Sequence, residues 1–556
     1  MHRSVSYEKA IVALNNLQSN QETIERMRLV KELKPDANLL HTLNCLERLG
    51  TPVAKLDSLN VIHVSGTKGK GSTCAFAESI LRAHGYKTGF YSSPHLVQVR
   101  ERIRINGEPL SEELFAHHFW RVYDILDMTK DAGEMPAYFK FLTVLAFEVF
   151  LSQKVDVAIV EVGIGGANDC TNVIRNPIVC GVTTLDFDHQ QVLGYTLPEI
   201  AWQKAGIFKP GAVAVTVDQP CDQAMAVLCE RAVELQCPLY VAPPSLPLPP
   251  PPFHIGIDGE HQLTNVSLAV QLTQLWMARR NVGFDLPFNP SSHPTLQPKS
   301  CRQILAVGRC YSLPILSPPD SLNEQSRRAL SACRWPGRSQ IITQRTTARL
   351  DSDRDLDATT VTYFIDGAHT PKSIQLCSNW FATQSVRLAS EQRVEPVRVL
   401  IFHCTGYRDP ETLLELLLQV PCPSFDLAIF CPARAHEHMD LRSDQANKAN
   451  IESLIKKCEQ TLICWLKLLA RQQFTDTSAH LAAVSGTSDG SVSSGRIISQ
   501  PHHSSSTPPI AVVRSSVAAA LKLVQGLRQP VHVLTTGSLH LVGALLANID
   551  PKLECS

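Results

Sequence analysis

Through about the first 240 residues, short β-branched runs alternate with helical patterns, and that alternation limits the fold before any single residue is considered. The runs "NVIHVS", "KTGFYSS", "VDVAIVEVG", "PIVCGVTTL" and "AVAVTV" are apolar nearly throughout, as strands buried on both faces must be. Helical stretches such as "GSTCAFAESILRAHG" lie between them. The pattern predicts an α/β fold, a parallel sheet wrapped by helices. From about Arg334 a second alternation begins, with "TVTYFIDGA", "VRVLIFHC", "DLAIFCP" and "PVHVLTTGSLHLVGALL", and it predicts a second α/β unit.

At 556 residues the chain exceeds what one core organises, so two domains are expected. The expected limits are 1–285 for the first domain, a connection over 286–333 where structural signals are weak, and 334–556 for the second. The tract "APPSLPLPPPP" at 242–252 reads as a surface insertion in extended polyproline form. Residues 475–509, rich in Ser, Gly, Thr and Pro, read as a disordered insertion.

Lys plus Arg equals Asp plus Glu at 52 each, which removes any bulk electrostatic argument for a nucleic acid or an anionic membrane as partner. The most apolar run, Phe139 to Leu151, is too short to span a bilayer and carries Lys140 and Glu148, so it predicts a buried helix and no transmembrane segment. Seventeen cysteines without one C-x-x-C pair argue against a zinc ribbon and against a secreted disulfide framework. The N-terminal stretch lacks a secretory apolar region and suits a transit peptide poorly, so a cytoplasmic chain is expected.

The chemistry concentrates first in "VIHVSGTKGKGSTCAF", residues 61–76. A strand, a loop with Gly66, Gly69 and Gly71, and a helix starting near Ser72 form the order expected of a phosphate-binding loop. Glycines let backbone N–H groups close on phosphate oxygens, the helix N-terminus adds a favourable dipole, and Lys68 and Lys70 supply positive charge. The usual signature has Ser or Thr directly after the Gly-Lys pair; here Gly71 follows Lys70 and the hydroxyl arrives one residue late at Ser72. A magnesium ion beside the phosphates needs only one or two side-chain oxygens, and Ser72 and Ser93 are both candidates.

Other ligands sit where strands should end, which is where open α/β sheets bind their ligands. Glu161 closes a buried apolar strand, and Asp186, Asp188 and His189 follow the next one. Glu161 and His189 are candidate metal ligands, with an ion-paired acid and a hydrogen-bonded loop histidine as the alternatives, and the two aspartates read as caps or turn formers. In the second half, Arg338 offers a planar fork for a phosphate, Asp366 an acceptor for ribose hydroxyls, and His369 and Ser538 polar lining; for each the alternative is a turn residue or a surface ion pair.

Taken in order, "HVSGTKGKGSTCAF", "KTGFYSSPHLVQVRERIRING", "VEVGIGGANDCTN", "IAWQKAGIFKPG", "GEHQLTN", "WPGR", "DGAH" and "TGSLHLVG" closely resemble the folylpolyglutamate synthase family, particularly its animal members. The resemblance implies a Mur-ligase-like architecture, with an N-terminal P-loop ATPase domain, a C-terminal Rossmann-like domain and substrates in the cleft between them. It implies ATP binding by Gly66, Thr67, Lys68, Gly69, Lys70, Gly71 and Ser72, with Arg338 and Asp366 as further nucleotide contacts. Ser93, Glu161 and His189 match magnesium-binding positions, and Lys204 matches a lysine that is carbamylated in some relatives to serve a second metal. His369 and Ser538 match positions associated with the acyl and glutamate sites, and together with Lys70 they are the residues expected to act in catalysis.

The implied reaction adds L-glutamate to the γ-carboxylate of a reduced folate with Mg2+ and ATP, through an acyl phosphate; the resemblance also leaves room for a monovalent cation, a monomeric enzyme and a mitochondrial form. Phosphoryl transfer needs charge neutralisation and alignment rather than a covalent protein catalyst, so no Ser or Cys nucleophile is expected and Cys74 is assigned to packing. The chain departs from the family where "FNATGDRDP" is usual: His403, Cys404 and Tyr407 stand in "FHCTGYRDP". Alternatives within this reading are a dihydrofolate synthase, another Mur-type amide ligase and a noncatalytic nucleotide binder.

Overall fold

The computed structural model describes residues 6–18, 37–283, 297–298, 300–306, 308–346, 359–406, 408–419, 424–438, 442–445, 450–484 and 510–554. The chain divides into two compact units, one formed by residues up to Pro336 together with 439–448, the other by 337–438 and 449–555.

The first unit is built on a ten-stranded sheet. Its strands are β1 (Ile62–Ser65), β2 (Thr88–Tyr91), β3 (Ile103–Ile105), β4 (Glu108–Pro109), β5 (Val157–Glu161), β6 (Val179–Val182), β7 (Val213–Thr216), β8 (Leu239–Val241), β9 (Ser300–Ala306) and β10 (Arg309–Ile315). The order is β4-β3-β2-β5-β1-β6-β7-β8-β10-β9. The run from β2 to β10 is parallel, while β3, β4 and β9 pair antiparallel at the edges. From β1 the chain moves outward past the place of β5 to β2, returns to β5, and then continues on the other side with β6. This reversal puts a topological switch at β1, and the crevice beyond its carboxyl end is where such sheets bind ligands.

The central strands bury both faces, which explains their unbroken apolar sequences. On one face Ile62, Val64, Val157 and Ile159 pack against the helices Lys70–Ala83 and Gln262–Val282; on the other Ala158 and Val160 pack against the helix Tyr138–Gln153. That last helix contains the apolar run noted in the sequence and is buried along most of its length. Its two charges are satisfied locally: Glu148 accepts from the Thr51 hydroxyl, and Lys140 Nζ lies 2.9 Å from His41 Nδ1. Among the described residues no helix is long and apolar enough to cross a membrane.

Several stretches differ from expectation. Within 286–333, expected as a connection, β9 and β10 form an antiparallel hairpin that joins the first sheet where Ile315 pairs with Val241, and the helix Glu324–Ala332 follows. The hairpin is an edge element with much of its length exposed, so its sequence lacks the apolar signal of the central strands. The proline tract has no regular element, but Leu246 and Leu248 pack against the first core, so it is anchored by its leucines. Of the expected disordered insertion, 475–484 continue the helix Ile451–Val484 and 485–509 lie outside the described residues.

The second unit holds a six-stranded sheet of β11 (Gln340–Thr346), β12 (Thr359–Ile365), β13 (Val397–Phe402), β14 (Leu427–Phe430), β15 (Ile510–Val513) and β16 (Val531–Thr536), ordered β11-β12-β16-β13-β14-β15. All pairs are parallel except β11 with β12. Phe364, Phe381, Phe425 and Trp465 centre its core. In both units the described cysteines are free.

Phe147 is fully buried between the helix Tyr138–Gln153 and its neighbours. Phe147→Ala is expected to destabilise the first unit by about 3–5 kcal/mol. Urea denaturation followed by far-UV circular dichroism checks this; an unchanged midpoint would contradict the packing described.

Candidate functional site

Four parallel strands of the first unit deliver their carboxyl ends to one edge of the sheet, and the candidate residues stand in the loops that follow. After β1, Gly66 turns with φ 139°, and a Cβ there would lie 1.8 Å from Thr183 Oγ1. Gly69 caps the helix Lys70–Ala83 with φ 86°, where a Cβ would lie 2.1 Å from Asn265 Oδ1. Both positions therefore require glycine, for backbone conformation and for close approach. The loop is fastened to the segment after β6: the N–H groups of Thr67 and Lys68 both donate to the Thr184 carbonyl at 3.0 Å, and Thr67 Oγ1 donates to the Asp186 carbonyl at 3.1 Å. Beyond that clamp the first turn of the helix presents the N–H groups that a helix start leaves without intrahelical partners, a ready seat for an anion.

Lysines surround the loop. Lys68 Nζ lies 3.4 Å from Asp188 Oδ2. Lys204, near the end of the helix Leu197–Ala205, is buried and donates from Nζ to the Gly66 carbonyl at 2.6 Å. Burial foremost, then the positive charge of Lys70 and, more weakly, Lys68, pushes the Lys204 ammonium well below the ordinary lysine range. Cys74, one turn into the loop helix, is fully buried, and burial followed by the Glu161 charge pushes its thiol well above the ordinary range. A thiol held protonated in that way is packing, as expected from the sequence.

Glu161 ends β5 beside β1, in register with Val64, and is buried. Its Oε2 accepts the N–H of Ser93 at 3.1 Å, so the loop after β2 and the tip of β5 come together. Ser93 is followed by a cis bond to Pro94. His189 stands in the loop after β6 with φ 52°, capping the short helix Gln190–Leu193, and its N–H donates to Asp188 Oδ1 at 3.0 Å. Asp186 likewise accepts the N–H of Phe187 at 2.8 Å, so both aspartates organise the turn, and Asp188 in addition pairs with Lys68. For magnesium, the Glu161 carboxylate and the Ser93 hydroxyl form a suitable hard-oxygen set, while the His189 nitrogen is the weaker donor.

Some contributors were not singled out in the sequence. Asp169 braces the loop after Glu161: its Oδ1 accepts from Thr171 N at 3.0 Å and Thr171 Oγ1 at 2.7 Å, and its Oδ2 accepts from Ile164 N at 3.1 Å. His63, in β1, lies 2.9 Å from Thr171 Oγ1. Because that hydroxyl donates to Asp169, His63 donates from Nε2; burial holds its imidazole neutral, lowered to about 3. Thr183, Thr184 and Asn265 shape the glycine loop only through contacts with residues more than a hundred positions away.

In the second unit Asp366, His369 and Ser538 also follow strands, while Arg338 stands just before β11. Asp366, after β12, is buried; Oδ2 accepts Ser339 N at 2.8 Å and Oδ1 accepts Ala368 N at 2.9 Å, so its carboxylate folds the loop on which it stands. Arg338 Nη1 donates to the Gly337 carbonyl at 3.2 Å, and the space over Gly367 is filled by that same nitrogen and by Leu539. His369 Nδ1 lies 2.7 Å from the Gly367 carbonyl. Ser538, after β16, caps the helix Leu539–Ile549 by accepting His540 N at 3.2 Å.

No protein-family profile matches the chain. It is 41% identical to the mitochondrial folylpolyglutamate synthase of Homo sapiens over 99% of this chain and 93% of that one. The chain belongs to the folylpolyglutamate synthase family. A folylpolyglutamate synthase of Arabidopsis thaliana is 34% identical over 97% of this chain and 86% of its own. Among solved structures, the apo form of L. casei FPGS superposes with a TM-score of 0.59 at 20% identity, covering 98% of this chain and 99% of that one. An FPGS complex with AMPPCP and folate gives 0.60 at 20% identity, covering 98% and 100%. These likenesses agree with the α/β, Mur-ligase-like architecture expected from the sequence.

Against the family pattern, His403 and Cys404 follow β13. His403 is buried, with Nδ1 3.7 Å from Cys458 Sγ, and burial foremost lowers its imidazole to about 4, so it packs as a neutral ring. Tyr407 lies outside the described residues.

Gly66→Ala would force a methyl onto Thr183 in a backbone conformation that L residues rarely adopt. The variant is expected to keep its far-UV spectrum and lose affinity for a fluorescent ATP analogue; retained affinity would show that the loop does not hold the phosphates.

Proposed function

We propose that this chain adds L-glutamate to the γ-carboxylate of a reduced folate, using ATP to activate the acid. The supporting observation is the meeting, on one sheet edge at a topological switch, of a lysine-lined glycine loop with Glu161 and Ser93. A carboxylate is too poor an electrophile for an amine. Attack of its oxygen on the γ-phosphorus of ATP releases ADP and leaves an acyl phosphate; the glutamate amine then attacks the acyl carbon and expels phosphate.

The residues of the first unit suit the first step. Lys70 and the N–H groups of the loop helix neutralise and orient the phosphates, which is the larger part of catalysis in phosphoryl transfer. Magnesium, held by Glu161 and Ser93 with His189 as a further donor, supplies charge neutralisation at the phosphate oxygens when bound. Arg338 and Asp366 are assigned to nucleotide contacts, and His369 and Ser538 to the acyl and glutamate sides; the positions of Asp366, His369 and Ser538 after β12 and β16 support the assignment. The mitochondrial naming of similar human and bovine chains supports a mitochondrial form beside a cytoplasmic one.

Lys204 is suited to carbamylation. Only a neutral amine adds carbon dioxide, and burial together with the charge of Lys70 shifts this one toward its neutral form. The carbamate would bring a negative charge to a site lined by lysines, where it is stabilised. Incubation with 13C-bicarbonate should give a carbamate carbon signal that Lys204→Arg abolishes; no such signal in the wild type would remove the modification.

Mass spectrometry of tetrahydrofolate with L-glutamate and Mg-ATP should show ATP-dependent glutamate addition. Lys70→Ala should abolish it without loss of fold, and Glu161→Gln should lower it with a raised magnesium requirement. Addition to dihydropteroate instead would reassign the chain as a dihydrofolate synthase.

A further inference from the structure

Residues 442–445 come after β14 and before the helix Ile451–Val484, both in the second unit, yet they pack as part of the first. It grips the loop that carries Ser93. Asp444 is the centre of the grip: Oδ1 accepts the Tyr7 hydroxyl at 2.5 Å and the Val99 N–H at 2.7 Å. The Asp444 carbonyl accepts from His95 Nε2 at 3.0 Å. On either side, Gln445 Nε2 donates to the Leu96 carbonyl at 2.6 Å, and Asn15 Nδ2 donates to the Ser443 carbonyl at 3.0 Å.

The gripped loop has a closed hydrogen-bond pattern of its own. The Glu101 carboxylate accepts the N–H groups of Leu96, Val97 and Gln98 at 3.0, 2.9 and 2.5 Å. His95 Nδ1 accepts from Arg102 Nε at 2.9 Å, which leaves Nε2 as the ring donor toward Asp444. Arg102 then returns the loop to the sheet, its carbonyl accepting Ser92 N at 3.0 Å. The next residue is Ser93, whose N–H lies on Glu161. A continuous chain of bonded groups thus runs from Asp444 through His95 and Arg102 to Ser92, Ser93 and Glu161.

Asp444 is not an ordinary surface carboxylate. Burial pushes its acidity toward higher pH while the hydrogen bonds from Tyr7 and Val99 pull it back, and burial likewise pushes the Tyr7 hydroxyl up. Deleting the carboxylate would leave the Val99 N–H and the Tyr7 hydroxyl without this acceptor, at a half-buried site where water replaces it in part and the loop loses its fixed hold.

We propose that Asp444 is a positioning residue that sets the Ser93–Glu161 pair by holding residues 95–102 against the helix Tyr7–Asn16. Its consequence for the reaction rests on the function proposed above. Groups hydrogen-bonded directly to metal ligands change metal affinity by roughly tenfold or more when removed, and Asp444, which reaches Ser93 and Glu161 through residues 95–102, is expected to have an effect of up to that size. The effect is expected in magnesium dependence, because Asp444 itself stands outside the phosphate loop.

The test uses the full chain. Hydrogen exchange by mass spectrometry reads residues 95–102, and calorimetry with AMPPCP at a series of magnesium concentrations reads the metal requirement of nucleotide binding. Asp444→Ala should speed exchange across 95–99 and raise the half-saturating magnesium concentration by up to roughly tenfold, with a near-normal thermal midpoint. Asp444→Asn, which still accepts from Val99, should restore both. Unchanged exchange in Asp444→Ala would overturn the proposal, and so would faster exchange with an unaltered magnesium requirement, because that marks a merely structural contact. If Asp444→Ala fails to fold, Tyr7→Phe must show both changes in smaller measure, and their absence overturns the proposal equally. Both readouts are independent of glutamate addition, so a wild type that binds magnesium with AMPPCP but adds no glutamate defeats the proposed function and leaves this inference to be decided by its own data.

Discussion

The candidate site depends on a backbone clamp. Two successive N–H groups, of Thr67 and Lys68, converge on one carbonyl, that of Thr184, and so tie the loop after β1 to the segment after β6. The clamp works only because Gly66 lets the chain lie directly on Thr183. It turns a flexible glycine stretch into a loop with a fixed end, so the helix that begins at Lys70 points its first turn at a defined place. Glu161 and Ser93 reach the same edge through β5 and β2, and their geometry inherits the register of the sheet.

Electrostatics follow from that geometry. Lys68 and Lys204 are drawn onto the loop by Asp188 and by the Gly66 carbonyl, and Lys70 belongs to the same electropositive neighbourhood. Such a site favours a polyanion, and burial sharpens the preference because nearby charges are poorly screened. Burial first, and then the same field that suits phosphates, depresses Lys204.

Much of this was legible in the sequence, for a physical reason. Strands buried on two faces must be apolar throughout, and loops at their ends must carry the polar chemistry, so Glu161, Ser93 and Asp366 stood out by position. The β9–β10 hairpin stayed hidden because an edge element with much of its surface in water writes no apolar pattern. The contacts that Thr183, Thr184 and Asn265 make with the loop were not legible, although the residues lie in recognisable stretches, because those contacts are set by the order of strands rather than by local residues. Asp444 is the extreme case, separated from Val99 by 345 positions. The position of Asp366 after a strand was legible, but the backbone N–H groups of Ser339 and Ala368 that its two oxygens accept were not.

The measurement that tests the account most directly follows oxygen rather than residues. Tetrahydrofolate carrying 18O in its γ-carboxylate is turned over with ATP and L-glutamate, and the released phosphate is analysed by mass spectrometry. Activation through an acyl phosphate predicts one 18O in each phosphate released, because the oxygen that attacked phosphorus leaves with it. Phosphate without label, alongside glutamate addition, would contradict phosphoryl transfer to the carboxylate and with it the role assigned to the loop, Lys70 and Glu161.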